Sequence, residues 1–432
     1  MNKGRKSEYI NNTFIFILLI YLGQATEFVR SIQTLENIFG LVFLIIITLL
    51  FASYHKVSIK KSLIYLIVGY SIYIILISIK FQVFHPRFTG IYLLAFYVTY
   101  ITIKALRYRF FLIFEKVLVQ LCKISLVLWV LYNIFPINFG FFMDLFSFSE
   151  PGAGNVRSNI IFYTLNSYNI DKQVAFKIGN LTINRNAGFS WEPGGFSVMI
   201  NLGMFINLIR SNFSLKNNKN FWILLLALSS TFSTTGYGIF MLLILFYFYN
   251  NKSKYKGLLV PIVLAIGIYL LSLPFMIVKL VKYSNKDLDA EVESSILYGG
   301  HKTPQRINSF IIDYRDFKNN PFLGYGGHQE ERWTNKLGAE IATISGIGKI
   351  FSVFGLVGVI FFFTLLYKSS KLLSVYYNFK GWGFPFLMIL MISISYSLIF
   401  NSLLMCFWMH ALFMPRIKPI IYSSISHHEL VK

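Results

Sequence analysis

The chain has 432 residues, of which 55% are hydrophobic and 18% aromatic, while only 13% are charged. That apolar content exceeds what a soluble domain buries, and it is what repeated membrane spans require. The net charge of +22 sits in short basic clusters between apolar runs, which is a topology pattern and excludes a nucleic-acid surface as the main role.

In chain order, apolar runs predict about twelve spans: 12–30, 35–54, 62–80, 89–105, 116–136, 194–210, 220–233, 236–250, 257–278, 346–367, 383–400 and 401–415. The expected fold class is an all-α polytopic membrane protein. N-terminal spans occupy 1–136, central spans 194–278, and C-terminal spans with a tail 346–432. Long loops cover 137–193 and 279–345. The first run follows Lys3, Arg5 and Lys6 and reads as an uncleaved anchor. Cys122 and Cys406 lie inside apolar runs and read as core residues, neither a disulfide nor a metal pair.

Basic residues set the orientation. With a cytoplasmic N-terminus, the cytoplasmic connections collect clusters such as Lys56, Lys60 and Lys61, then Lys104, Arg107, Arg109 and Lys116, and later Lys368, Lys371 and Lys380. Against them stand only Glu8, Glu115 and Glu429. Both long loops then fall on the outer face. Residues 220–250 as one helix would run to about 45 Å against a hydrocarbon core of roughly 30 Å. The polar centre from Ser229 to Gly238 therefore predicts a hairpin.

The first long loop ends in Arg185-Asn-Ala-Gly-Phe-Ser-Trp-Glu192-Pro193-Gly194-Gly195 before an apolar run. Proline suits a first helical turn. Free amides and the positive end of the dipole, beside Arg185, make an anion site suited to phosphate. Glu192 reads either as the helix cap or as a base. The competing reading is a capped helix with an arginine reaching for lipid headgroups.

In the second loop, Pro304 predicts a helix over 304–319. Arg306, Phe310, Asp313 and Phe317 share one face of it, with Arg315 about half a turn away. One arginine can face a site and the other cannot. Gly324-Tyr325-Gly326-Gly327 reads as a structural turn or as an anion-binding nest. His301 and His328 flank this unit as solvated residues or as bases. No HExxH, acidic metal cluster or Walker loop is present, so neither a metal nor a nucleotide is expected.

Over roughly residues 180–365 the chain resembles the O-antigen polymerase and ligase superfamily, and within it the Wzy-type polysaccharide polymerases. Arg185, Gly188, Phe189, Glu192 and Pro193 match its arginine-glycine-acid-proline pattern, and Ser229–Gly238 matches its Ser/Thr-rich hairpin, with Thr235 or Gly236 where an arginine is often found. Arg306 precedes Pro321-Phe-Leu-Gly-Tyr-Gly326 as in the family's arginine helix and glycine turn, and Phe310 takes its aromatic position. Gly355-Leu356-Val357-Gly358 follows. Ile344-Ser345 stands where ligases carry His-Asn, which weighs against a ligase.

The resemblance implies a C-type glycosyltransferase fold in the bacterial inner membrane, with its active site on the periplasmic face. It implies a donor and an acceptor that are both oligosaccharides on undecaprenyl diphosphate, no cofactor and no metal, and a chain-length-regulating co-polymerase as partner. Arg185 and Arg306 would hold the diphosphate, and Glu192, His301 or His328 would be the base. Gly188, Pro193, Gly194, Arg315, Tyr325 and Gly326 would contact substrate. The alternatives are a ligase, with the same donor and another acceptor, and a lipid-linked oligosaccharide flippase. A flippase should place its charges inside the spans, whereas here only Lys123 lies well inside a run.

Overall fold

A computed structural model describes residues 3–23, 38–149, 156–166, 174–178, 181–251, 292, 293, 296, 304, 306–339 and 341–414. The expected span over 257–278, His301 and the tail from 415 lie outside the described residues.

The described chain is mostly helical. The first six helices are α1 (Lys3–Gly23), α2 (Ile38–Tyr54), α3 (Lys61–Phe81), α4 (Pro86–Leu106), α5 (Arg109–Ile134) and α6 (Pro136–Asp144). The central group is α7 (Pro193–Arg210), α8 (Lys219–Thr231) and α9 (Thr234–Asn250). The second long loop carries α10 (Arg306–Asn319) and α11 (Trp333–Lys336). Then come α12 (Gly346–Tyr376), α13 (Gly383–Ser395) and α14 (Ser402–Phe413). Among the described residues four helices, α3, α4, α5 and α12, are long and apolar enough to cross a membrane. At 1.5 Å per residue, α13 and α14 reach only about 20 Å, less than the roughly 30 Å hydrocarbon core. An elbow separates them: the short 3-10 turn Ser397–Phe400, flanked by Tyr396 and Asn401 in extended conformation.

The core is built around α7, whose side chains are buried on every side from Gly194 to Ile209. Helices α5, α8 and α9 pack against it. Asn218 at the start of α8 bonds Asn207, and Ser230 at its end bonds Asn186. Next, α9 runs back: the Gly236 carbonyl accepts from Asn201, and Phe246 packs on Phe205 and Phe213. Residues 220–250 therefore form two antiparallel helices, broken at Phe232 in a left-handed conformation (φ 45°) and capped by Ser233. Residues that the charge pattern assigns to one side also meet. Arg210 forks onto Glu115 at 2.7 and 2.9 Å, Lys116 pairs with Glu8, and Asn250 bonds the Lys380 backbone.

The first long loop corrects the all-α expectation. It holds a three-stranded antiparallel sheet of β1 (Ser147–Ser149), β2 (Val156–Asn159) and β3 (Thr164–Asn166), and a hairpin of β4 (Val174–Ile178) and β5 (Leu181–Asn184). These strands are three to five residues long. In that hairpin Ile178 pairs with Leu181 and Lys177 with Thr182.

Helix α12 is interrupted at Gly355, whose φ of 61° and ψ of −157° leave the helical region. The break frees backbone groups that the second long loop then satisfies. Tyr325 N donates to Ser352 O and Gly326 N to Val353 O, while Leu356 N and Val357 N donate to Pro321 O and Phe322 O. Tyr73 of α3 adds its hydroxyl to the Leu323 and Val353 carbonyls. The two backbones approach so closely that a Cβ on Gly355 would stand 2.5 Å from Phe322 O. A helix break inside a membrane protein is stable only when its open groups find such partners.

Candidate functional site

Strand β5 runs directly into Arg185, and two anchors fix the join: Trp129 Nε1 donates to Asn184 O at 2.6 Å, and Asn186 N donates to Ser230 O at 2.9 Å. Arg185 Nε then donates to Thr231 O, the last residue of α8, at 3.1 Å. Six residues on, Trp191 N bonds Gly23 O at the end of α1. The segment before α7 is thus held from three directions.

Glu192 is the N-cap residue of α7 by backbone, with extended φ and ψ, and Pro193 fills the first helical position. Its side chain makes no capping hydrogen bond, which corrects the capped-helix reading. The exposed carboxylate instead lies close enough to the Tyr396 hydroxyl to act on it electrostatically. Tyr396 comes from the elbow after α13. A Cβ on Gly194 would overlap its hydroxyl and stand 2.9 Å from its Cζ, so the glycine lets the ring reach the mouth of α7.

Arg306 opens α10 and arrives from the other side. It donates to the Thr235 hydroxyl and, through Nη2, to the Tyr396 hydroxyl at 2.5 Å, with its guanidinium 4.6 Å from the centre of the Tyr396 ring. Arg185 also acts electrostatically on both Tyr396 and Tyr237. Two guanidiniums, a carboxylate and the start of a buried helix therefore act on one tyrosine, with Arg306 in direct contact. Fixed guanidiniums suit a dianion, and a carboxylate beside a hydroxyl suits a proton acceptor.

The other expected site residues lie elsewhere. Arg315 stacks on Trp333 at 4.4 Å, half a turn from Arg306. The inward face of α10 is Ser309, Ile312, Asp313 and Asp316; Phe310, expected to share a face with Arg306 and Asp313, is 37% exposed in a row with Tyr314 and Phe317. The Gly324–Gly327 turn is not an open nest. The amides of Gly324, Tyr325 and Gly326 already donate to Asn320, Ser352 and Val353 carbonyls, and the Tyr325 ring is buried. Gly188 is buried in the turn before α7, its amide held by the Asn186 side chain.

His328 has a different partner set from Arg306. Its Nδ1 stands 3.0 Å from His85 Nε2 and 3.3 Å from Glu330 Oε1, and its ring packs on Phe81. Burial first, then the neighbouring His85, push its imidazole below the ordinary histidine range. Among the described residues, His85, His328 and Glu330 are the group whose side-chain types and spacing could hold a metal ion.

A buried charge cluster underlies α10. Arg332 Nε donates to Asp316 Oδ2 at 3.1 Å and Nη1 to Ile341 O at 2.7 Å, while Trp333 N donates to Asp316 Oδ1 at 2.6 Å. Asp313 takes a bond from Thr343 at 2.8 Å, but its Oδ2 has no partner. Burial pushes the Asp313 carboxyl up to about 7, against the opposing pull of Arg332.

Sequence reasoning missed Tyr396, His85 and the Asp313–Asp316–Arg332 cluster. A signal existed for the first: Ser393, Ser395, Tyr396 and Ser397 interrupt an apolar run with hydroxyls. Compared with protein-family models, curated proteins and solved structures, the chain matches none.

Proposed function

We propose that this chain is a membrane glycosyltransferase that polymerises oligosaccharide repeat units carried on undecaprenyl diphosphate into a surface polysaccharide. The observation that carries this reading is Arg306 bonded to Tyr396, with Arg185 and Glu192 near enough to act electrostatically on the same tyrosine. In such a transfer the glycosidic bond to the lipid diphosphate breaks while a hydroxyl of the acceptor sugar attacks the anomeric carbon. Negative charge grows on the departing diphosphate, and Arg185 and Arg306 stabilise it with fixed donors. Glu192 takes the proton of the attacking hydroxyl, so the diphosphate leaves with the bonding electron pair. The expected architecture is of the C-type glycosyltransferase kind, acting on the outer face of the inner membrane.

An apolar cavity of about 290 Å³ supports a lipid substrate. Tyr70, Tyr73, Tyr92, Phe354, Phe400 and Trp408 are among its walls. The elbow between α13 and α14 carries Tyr396 into the charged site and Phe400 into this cavity, four residues apart. A diphosphate headgroup and the first isoprene units of its tail suit that pairing.

The test is turnover of synthetic lipid-linked repeat units by purified variants. Losing a bidentate, charge-assisted contact in the transition state costs about 3–4 kcal/mol, roughly a hundred- to a thousandfold in rate. Arg306→Ala should show that loss, and Arg306→Lys nearly the same, because lysine keeps the charge without the fork. Arg315→Ala, which loses the Trp333 stack, should keep most activity. An active Arg306→Ala protein overturns the diphosphate clamp.

A further inference from the structure

We propose that His85 Nε2, His328 Nδ1 and Glu330 Oε1 form a binding site for one divalent transition-metal ion of the zinc type. The inference does not rest on the glycosyltransferase reading, because these residues bond different partners from Arg306 and Tyr396.

The geometry is the first argument. The three atoms stand 3.0, 3.3 and 3.6 Å apart. A tetrahedral ion with bonds of about 2.0–2.1 Å holds its ligand atoms roughly 3.3 Å apart, so one ion about 2 Å from each fits this triangle. Ligand type is the second. Two imidazoles and a carboxylate select zinc, or cobalt as its stand-in, over magnesium or calcium, which prefer oxygen alone. A three-ligand set leaves a fourth position for water.

Preorganisation is the third argument. His85 caps α4 directly before Pro86, which fixes the chain at that point. His328 is 1% exposed, follows the turn stitched to the break in α12, and bonds Tyr325 O through its amide. Glu330 lies in the short 3-10 turn Gln329–Glu331. The ligands thus come from the α3–α4 connection and the second long loop, 243 residues apart in sequence for the histidine pair. Without an ion, two ring nitrogens 3.0 Å apart must share a proton. With one, both rings turn a lone pair inward and carry their protons on the far nitrogens. The nearby charges are Lys80, engaged with Asn320, and Glu331, paired with Lys336. The ion would clip the second long loop to the α3–α4 connection.

The experiment uses the full chain, purified without a histidine tag in detergent and stripped with a chelator. Titration with Co²⁺ should give the visible bands of four-coordinate cobalt at one ion per chain, displaced by Zn²⁺, and Zn²⁺ should raise the apparent melting temperature. His85→Ala and Glu330→Gln, both at accessible positions, should each weaken binding about a hundredfold or more. His328→Ala should do the same, but its burial makes misfolding a risk, and the other two variants decide. Changing His427 and His428 in the tail to Ala should leave binding intact. Failure of the wild-type chain to take up an ion, or undiminished uptake by both His85→Ala and Glu330→Gln, overturns the site.

Discussion

Gly194 and Tyr396 offer a double-mutant cycle whose outcome follows from two distances. In Gly194→Ala the new methyl overlaps the Tyr396 hydroxyl, so the ring must move away from Glu192 and Arg306. Overpacking of this kind costs about 1–3 kcal/mol. Tyr396→Phe removes the hydroxyl that Arg306 Nη2 reaches at 2.5 Å, a bond to a charged donor worth about 1.5–3 kcal/mol. Independent effects would sum to about 4 kcal/mol at the middle of those ranges. They are not independent. Once the hydroxyl is gone, the methyl faces only Cζ at 2.9 Å, which a shift of a few tenths of an ångström relieves. The double variant should therefore lose only slightly more than Tyr396→Phe alone, a coupling of about 1–2 kcal/mol or roughly five- to thirtyfold in rate. Polymer formation at matched membrane expression gives the rates, and the apparent melting temperature in detergent gives a readout free of any assumption about the reaction. Strict additivity in both measurements would refute the contact between α7 and the elbow.

Cysteines introduced at Asn166 and Lys302 should label with an impermeant reagent in intact spheroplasts, because Cys122 and Cys406 are buried and keep the background low; labelling only after lysis reverses the topology. Glu192→Gln keeps the shape but not the proton affinity, so polymer synthesis should fall by a hundredfold or more (general-base catalysis contributes about 10²–10⁴). Near wild-type synthesis removes the base assignment. Burial raises the Asp313 carboxyl to about 7, so its contribution to stability is full below the ordinary aspartate range near pH 4 and is lost as pH rises through about 7. Asp313→Asn should flatten the fall in melting temperature over that window, with Arg332, Asp316 and Lys349 as the neighbouring charges; an unchanged profile contradicts the raised carboxyl.

Among the described residues long apolar runs marked helices, whereas α6, started by Pro136, fell within the stretch read as the first long loop. The helix expected over 304–319 begins at Arg306, and the span expected over 194–210 begins one residue earlier, at Pro193. The strands of the first loop were not legible, because three to five residues give too little alternation to register beside runs of twenty. The site divided in the same way. Arg185, Glu192 and Arg306 announce themselves as charges at the mouths of apolar segments, where each needs a partner. Tyr396 does not, since an aromatic residue within an apolar run reads as core. His85 is marked only by its contact with a residue 243 positions away, and nothing local to either histidine encodes that distance.

The stitched break in α12 turns the segment between it and Arg306 into a ruler. Pro321–Gly326 is pinned by four backbone hydrogen bonds to the residues around Gly355, so α10 counts back from a fixed origin. One residue inserted between Asn308 and Asn319 would rotate Arg306 by about 100° and carry it about 1.5 Å along the axis, out of phase with Tyr396 and Thr235. Length is therefore quantised between Arg306 and Pro321, and this part of the second long loop is a gauge block that sets where the cation stands.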